Sequence, residues 1–260
     1  MPHTEDEQPI ALTILVPCFN EARRLRETIR HMLGYADERQ GSGTELVLID
    51  DGSTDGTRAI IRELADSDHR VRGVTLPANR GKGAALRAGA TVARGKVVAF
   101  LDADLSYPLG SLDRAQSEIE GGADVVIGGR DLEEGGALRT YSVARRASSM
   151  LFNTVVDTVL DLRIPDTQCG FKAFRGDVAK ALFREGRIDR FGFDVELLFL
   201  AKRWGLRIKR IPVHMSHRKG STVRIVRDGA RMAYDVLRIR RLAGAGEYSA
   251  HMDRRADHGD

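Results

Sequence analysis

Asp102, Ala103 and Asp104 follow the apolar run VVAFL, and two carboxylates one residue apart at a strand end can hold a divalent cation. Hard cations such as Mg2+ or Mn2+ take oxygen ligands, commonly one or two carboxylates completed by substrate phosphates. A cation held there would neutralise charge on a departing nucleotide diphosphate. The same triplet also occurs as a turn or helix cap, so spacing alone leaves a structural role open. A second acidic stretch, Asp50-Asp51-Gly52-Ser53-Thr54-Asp55-Gly56-Thr57, follows LVLI. Gly52, Thr54 and Gly56 fit a turn and a cap, whereas Asp50 or Asp51 suits the edge of a base or ribose. Asn79-Arg80-Gly81-Lys82-Gly83 lacks the G-x-x-x-x-G-K-[ST] spacing, and no G-x-G-x-x-G follows the first strand. Neither a nucleotide-hydrolysing phosphate loop nor a dinucleotide dehydrogenase is supported. Lys82 is either a phosphate contact near a helix start or a surface lysine.

The elements that would carry these groups alternate. Apolar, β-branched runs recur at 11–17, 44–50, 71–77, 96–102 and 124–128, separated by helical spacing over 21–33, 54–65, 82–93 and 108–120. Short, nearly continuous apolar strands between helices predict a parallel sheet covered on both faces. Ligands of such sheets bind beyond the strand carboxyl ends. Asn20, Glu21, Asp50, Asp51, Lys82, Asp102, Asp104 and Arg130 all fall there. The second half predicts a helix over 141–162, a Pro-bounded, Gly-containing segment over 164–174, a helix around 194–203, a strand over 207–213 and a basic helix over 224–241. The expected organisation is a flexible 1–9, a catalytic domain over 10–223, the helix 224–241 and a disordered tail over 242–260.

The 260 residues carry a net charge of only +4, yet thirteen Lys or Arg face two Asp between Lys202 and Arg241. That local block suits an anionic partner, and a solvated helix face is the plainer alternative. Arg224, Arg227, Arg231, Arg238, Arg240 and Arg241 alternate with Val226, Met232, Ala233, Val236, Leu237 and Ile239. Such a helix either lies on an anionic membrane surface or packs its apolar stripe on the sheet, and the membrane is the expectation. No nucleic acid is expected, since stacking aromatics are not interleaved with the basic residues. Cys18 and Cys169 stand far apart without CxxC spacing, so a reducing compartment is the simpler reading. No run reaches the ~18 apolar residues of a bilayer span, and the acidic N-terminus lacks a signal peptide's apolar region. These features predict a cytoplasmic chain in peripheral contact with the inner face of the cell membrane. A homo-oligomer is compatible with all of them.

In order along the chain, Val16-Pro17-Cys18-Phe19-Asn20-Glu21, Asp50-Asp51-Gly52-Ser53, Asn79-Arg80-Gly81-Lys82-Gly83 and Asp102-Ala103-Asp104 resemble the signature of family 2 inverting glycosyltransferases. The resemblance implies the GT-A fold, a Rossmann-like α/β arrangement with a mixed, mostly parallel sheet. Asp166-Thr167-Gln168-Cys169-Gly170-Phe171-Lys172 and Phe191-Gly192-Phe193-Asp194-Val195-Glu196-Leu197-Leu198 are similar to the dolichyl-phosphate β-glucosyltransferase branch. The DADLSYP stretch is closer to dolichyl-phosphate mannosyltransferases. By resemblance, Pro17, Asn20, Glu21 and Asp51 would line the nucleoside pocket. Asp102 and Ala103 would meet the donor near its ribose, and Asp102 with Asp104 would hold Mg2+ or Mn2+. Arg130 would sit near donor and acceptor phosphates, and Asp166 and Gln168 on the acceptor side. Arg218 and Lys219 would lie in a loop closing over both substrates, although Thr222 stands where relatives often carry lysine.

An alcohol acceptor needs a general base, whereas a phosphate monoester, with a second pKa of about 6, is already largely dianionic at neutral pH. Asp194 is the candidate base for a hydroxyl acceptor; otherwise it orders the acceptor site or starts a helix. For a phosphate acceptor, cations must let two anionic substrates meet, and Arg130, Arg218 and Lys219 are the candidates. The expected activity moves a hexose or acetamido-hexose from a UDP-sugar to polyprenyl phosphate. A soluble sugar or glycerate acceptor, and a non-catalytic nucleotide-sugar-binding module, are the alternatives.

Overall fold

Parallel strands require crossover connections, and the alternation of runs supplies a helix for most of them. The computed structural model describes residues 9–39, 43–132, 143–215 and 225–252, with backbone alone over 143–151 and 225–230. Its strands are β1 (Ile10–Cys18), β2 (Gly43–Asp50), β3 (Val71–Thr75), β4 (Val97–Phe100), β5 (Val125–Gly129), β6 (Lys172–Arg175) and β7 (Ile208–Pro212). They form one sheet in the order β3-β2-β1-β4-β6-β5-β7. Only β6 runs against its neighbours, pairing Lys172 with Phe100 of β4 on one side and Ile127 of β5 on the other.

Helices cover both faces, because strands apolar on both sides must be buried on both. Leu12, Ile14 and Val16 pack with α1 (Leu25–Glu38), α2 (Thr57–Ser67) and α4 (Ser111–Glu120). Leu15, Val47 and Ile49 face α3 (Lys82–Val92), α5 (Val143–Leu160), α6 (Gly176–Glu185), α7 (Phe193–Arg203) and α8 (Ile225–Gly244). The mixed, mostly parallel sheet and its flanking helices are those expected.

Three expectations need correction. From the end of the segment read over 164–174 to the helix around 194–203, where no element was expected, lie β6 and α6. Four residues reading KAFR are too short for a periodic signal, and they open on a charge. The helix read over 224–241 does not turn its whole apolar stripe outward: Val236 and Ile239 are fully buried in the core shared with α5 and α7, while Leu237 is exposed. An apolar stripe beside an uncovered sheet face is stabilised by packing there. What α8 turns outward is Arg231, Tyr234, Leu237, Arg238, Arg240 and Arg241. Finally, the chain expected to be disordered from 242 completes α8 and then docks as far as 252. Tyr248 is 2% exposed there, with its ring against Phe199 and its hydroxyl donating to Glu196 Oε1 at 2.5 Å.

Candidate active site

Strand order reverses between β1 and β4, so the connections leaving their carboxyl ends diverge and open a crevice. Glu21 enters it after β1, and Asp102 and Asp104 after β4. Because β6 is antiparallel, its start reaches the same edge, bringing Cys169, Gly170 and Lys172 beneath the acidic pair. Loops at this edge bend sharply, with Asn20 at φ 56°, Leu105 at φ 51° and Asp166 at φ 57°. Left-handed backbone of this kind is costly outside glycine and gathers at functional edges.

Lys82 is the first residue of α3, where free backbone N–H groups and the helix dipole favour anions. Its ammonium lies 2.6 Å from Asp102 Oδ1 and 5.2 Å from the centroid of Phe100. Burial works against that charge, yet Asp102 and Asp194 outweigh it and hold the lysine above its ordinary range. The loop before α3 is tied down from both sides. Asp51 accepts from the backbone N–H of Arg80 and Gly81, both at 2.8 Å, and from Asn79 Nδ2 at 2.9 Å. Gly81, at φ 111°, leaves no room for a side chain, since a Cβ there would lie 2.7 Å from the carbonyl oxygen of Asp189.

The acidic side is out of balance. Glu21 Oε2 is buried and accepts no hydrogen bond, although Arg24 Nε lies 2.6 Å away without donating geometry. Burial pushes this carboxyl up, Arg24 opposes, and the nearby Asp104 and Asp102 add to the rise. Asp104 Oδ1 accepts only from Ser106 N, at 2.9 Å, among the hydrogen bonds described. Among the described residues, no three His, Cys, Asp or Glu side chains are grouped to ligate an ion by themselves. Carboxylates with spare acceptor capacity, short of a full shell, fit a hard cation completed by phosphate oxygens. Asp102 and Asp104 would hold it.

Other expected site residues are placed differently. Asp50 is fully buried, accepting from Ser53 N at 2.8 Å and Arg58 Nε at 2.9 Å, so it shapes the loop. Pro17, next to last in β1, is partly covered, Asn20 is exposed at the mouth, and Ala103 is buried, its carbonyl accepting from Thr28. Arg130 is paired with Asp166, which accepts from its N–H at 3.0 Å and its Nε at 2.9 Å, so its charge is already matched. Gln168 points to α8, its Nε2 3.5 Å from Met232 Sδ. Arg218 and Lys219 lie outside the described residues. Asp194, in the first turn of α7, is 7% exposed and bonded to Lys172 Nζ at 2.7 Å. Burial pushes its carboxyl up, with Lys172 and Lys82 opposing. A carboxylate so paired is a poor free base.

Lys172 itself was not singled out from the sequence. It is completely buried, donates to the Cys169 carbonyl at 2.8 Å and lies 5.7 Å from the Phe100 centroid. A lysine flanked by Phe171 and Phe174 was the available signal, since such a cation needs a buried partner.

Residues 13–183 match the description Glycosyl transferase family 2. The dolichyl-phosphate β-glucosyltransferase of Drosophila melanogaster is 32% identical, covering 94% of this chain and 79% of its own. Those of Saccharomyces cerevisiae and Homo sapiens are 31% and 30% identical, each over 94% of this chain and over 78% and 80% of theirs. Glucosyl-3-phosphoglycerate synthase from Mycobacterium tuberculosis, crystallised with Mn2+, uridine diphosphate and glucosyl-3-phosphoglycerate, superposes with a TM-score of 0.64. It is 19% identical, covering 91% of this chain and 80% of its own, and supports the fold alone. The matched span runs from β1 through β6 and so contains both strands that open the crevice. By that match and by its relatives, this chain is a glycosyltransferase and belongs to glycosyl transferase family 2.

Proposed function

We propose that the chain transfers a hexose, or an acetamido-hexose, from a UDP-sugar to a polyprenyl phosphate at a membrane surface. The carrying observation is an acidic pair with a lysine at a helix start, beside an aspartate whose charge is already taken. Asp102 and Asp104 would hold Mg2+ or Mn2+, which when bound neutralises the diphosphate. Lys82 contributes a further positive charge at the α3 N-terminus. The bond from the sugar's anomeric carbon to the diphosphate breaks, its electrons leaving on oxygen, while an acceptor oxygen bonds from the opposite face and inverts the configuration. Asp194, the candidate base for a hydroxyl acceptor, is paired with Lys172 at 2.7 Å. That suits an acceptor already ionised at neutral pH, as a phosphate monoester with a second pKa of about 6 is.

The relatives' names, dolichyl-phosphate β-glucosyltransferases, support a polyprenyl phosphate acceptor and glucose as the first sugar to test. Uridine diphosphate has a precedent on this fold. Membrane contact is supported by the outer face of α8. Phe191, Tyr234 and Leu237 are 50%, 67% and 58% exposed. Phe191 and Tyr234 line one groove with Arg190, Arg231 and Asp235. Exposed apolar residues among arginines suit an anionic lipid surface. Among the described residues no helix is long and apolar enough to cross a membrane.

The test is an incubation of pure protein with short-chain polyprenyl phosphate, Mg2+ or Mn2+ and labelled UDP- and GDP-sugars. Label should enter the organic phase only with metal present. A labelled product that stays in water, with none in the organic phase, rejects the lipid acceptor.

A further inference from the structure

Lys172 lies in the middle of the sheet, at a position set by the antiparallel insertion of β6, where it pairs with Phe100 two residues before Asp102. Two ammonium groups flank one ring there. Lys82 is 5.2 Å and Lys172 5.7 Å from the Phe100 centroid. Two carboxylates match them: Asp102 takes Lys82 at 2.6 Å, and Asp194 takes Lys172 at 2.7 Å. Asp194 also acts electrostatically on Lys82. The turn that Lys172 holds through the Cys169 carbonyl continues into Gly170, where a Cβ would lie 3.1 Å from Asp102 Oδ2 and 3.2 Å from the Tyr107 ring. Asp102 is thus bounded by Lys82 at one oxygen and by the Lys172-anchored turn at the other.

We propose that Lys172 is a positioning residue for donor binding: by neutralising Asp194 it keeps Lys82 directed at Asp102 and the diphosphate site. Without the Lys172 charge, Asp194 becomes a buried, unpaired carboxylate within reach of one remaining ammonium. Such a group is strongly driven to capture a cation, and Lys82 is the near one. Captured, Lys82 leaves Asp102 and no longer meets the donor phosphates. The segment 166–172 then serves the donor side as well as any acceptor. This inference rests on the nucleotide-sugar reading above.

The experiment measures uridine diphosphate affinity by calorimetry, with Mn2+, alongside thermal melting, for wild type, K82A, K172M, K172M/D194N and K82A/K172M. Wild-type binding is the control, and its failure would count against the donor reading itself. Given that control, K172M should weaken binding on the order of tenfold, and K172M/D194N should return to within about threefold of wild type. In the K82A background K172M should have no further effect, because Lys82 is the route by which it acts. A general loss of stability would instead weaken both backgrounds equally. Equal weakening, wild-type affinity in K172M, or a folded K172M/D194N that stays tenfold weak each overturns the proposal. Should K172M not fold alone, K172Q, equally without the charge, takes its place in each comparison.

Discussion

The ammonium of Lys82 stands 2.6 Å from Asp102 Oδ1 at the first residue of α3, so the acidic pair and that helix start are one unit. Asp104 carries no such cation among the described contacts and keeps its acceptor capacity. D104A should therefore remove metal-dependent transfer, with a loss on the order of a hundredfold or more in turnover, and should leave the melting temperature almost unchanged. K82A should raise the donor KM more than it lowers kcat. A donor titration with Mn2+ held in excess separates the two effects; unchanged turnover in D104A would remove the carboxylate from the metal site.

Asp194 gives a contrasting expectation. A general base supplies roughly 10²–10⁴-fold, so its loss would show in kcat. Paired with Lys172 as it is, D194N should instead leave a buried, unmatched ammonium, at a cost of about 3–5 kcal/mol. The melt should fall by several degrees while kcat per folded molecule changes by less than about threefold. A hundredfold drop in kcat at an unchanged melt would restore Asp194 as base.

Much of this arrangement was legible from the residues, and the part that was not has a common cause. DAD, NRGKG and NE each follow an apolar run, so their place at one sheet edge follows from the period of the strands. Their partners do not. Asp50 finds Arg58 and Asp194 finds Lys172 across folded distance, and a sequence shows which charges exist but not which are spent on each other. β6 escaped because KAFR is short and starts on a lysine, and that lysine is buried only because an antiparallel strand fills the gap between β4 and β5. The apolar stripe of α8 was misassigned for a related reason. An amphipathic pattern states that one face is apolar and leaves open whether protein or lipid covers it.

Acid should weaken the fold through carboxylates such as Glu45. It is 1% exposed and accepts from Thr13 Oγ1 and from Arg94 N, both at 2.7 Å. Burial alone would raise its pKa, but Thr13 and Arg94 overcome burial and hold it below the usual carboxylate range. With the folded value lower than the unfolded one, about 4.3, its stabilisation is complete above that pH and is lost as pH falls through the folded value. E45Q should cost about 1–3 kcal/mol at pH 7, and its melting curve should decline less between pH 5 and 3 than that of wild type. Parallel declines for the two proteins would show that Glu45 contributes no acid sensitivity.

The outer face of α8 makes a prediction about lipid. Each basic residue near an anionic bilayer contributes about 1 kcal/mol, so changing Arg231, Arg238, Arg240 and Arg241 together to serine should weaken vesicle binding by about two to three orders of magnitude. Wild-type binding should fall steeply with salt. Y234S/L237S should weaken binding even at low salt, because it removes apolar rather than charged contact. Sedimentation with phosphatidylserine vesicles reads both, and retention of all variants would place the membrane contact elsewhere or nowhere.

The docked segment after α8 is the last element whose role can be tested by removal. Tyr248 sets its ring at a tilt to that of Phe199, with centroids 6.3 Å apart. Its hydroxyl donates to Glu196 Oε1, the oxygen that also accepts from Arg187 N at 2.8 Å, while Oε2 accepts from Ile188 N at 2.9 Å. Trp204 Nε1 donates to the Ser249 carbonyl at 3.0 Å. Glu196 thus ties the segment after α8 to the stretch 187–188 that leads into Asp189, the residue bonded to Arg80, Arg87 and Ala84 N beside Lys82. Y248F keeps the ring and loses one hydrogen bond to a carboxylate, at about 1.5–3 kcal/mol, or several degrees of melting temperature. Truncation after Gly244 removes ring and hydroxyl together and should cost more. If this latch also steadies the Asp189 turn, truncation should raise the donor KM at temperatures well below its melt, whereas a latch that only stabilises the fold should leave KM at the wild-type value.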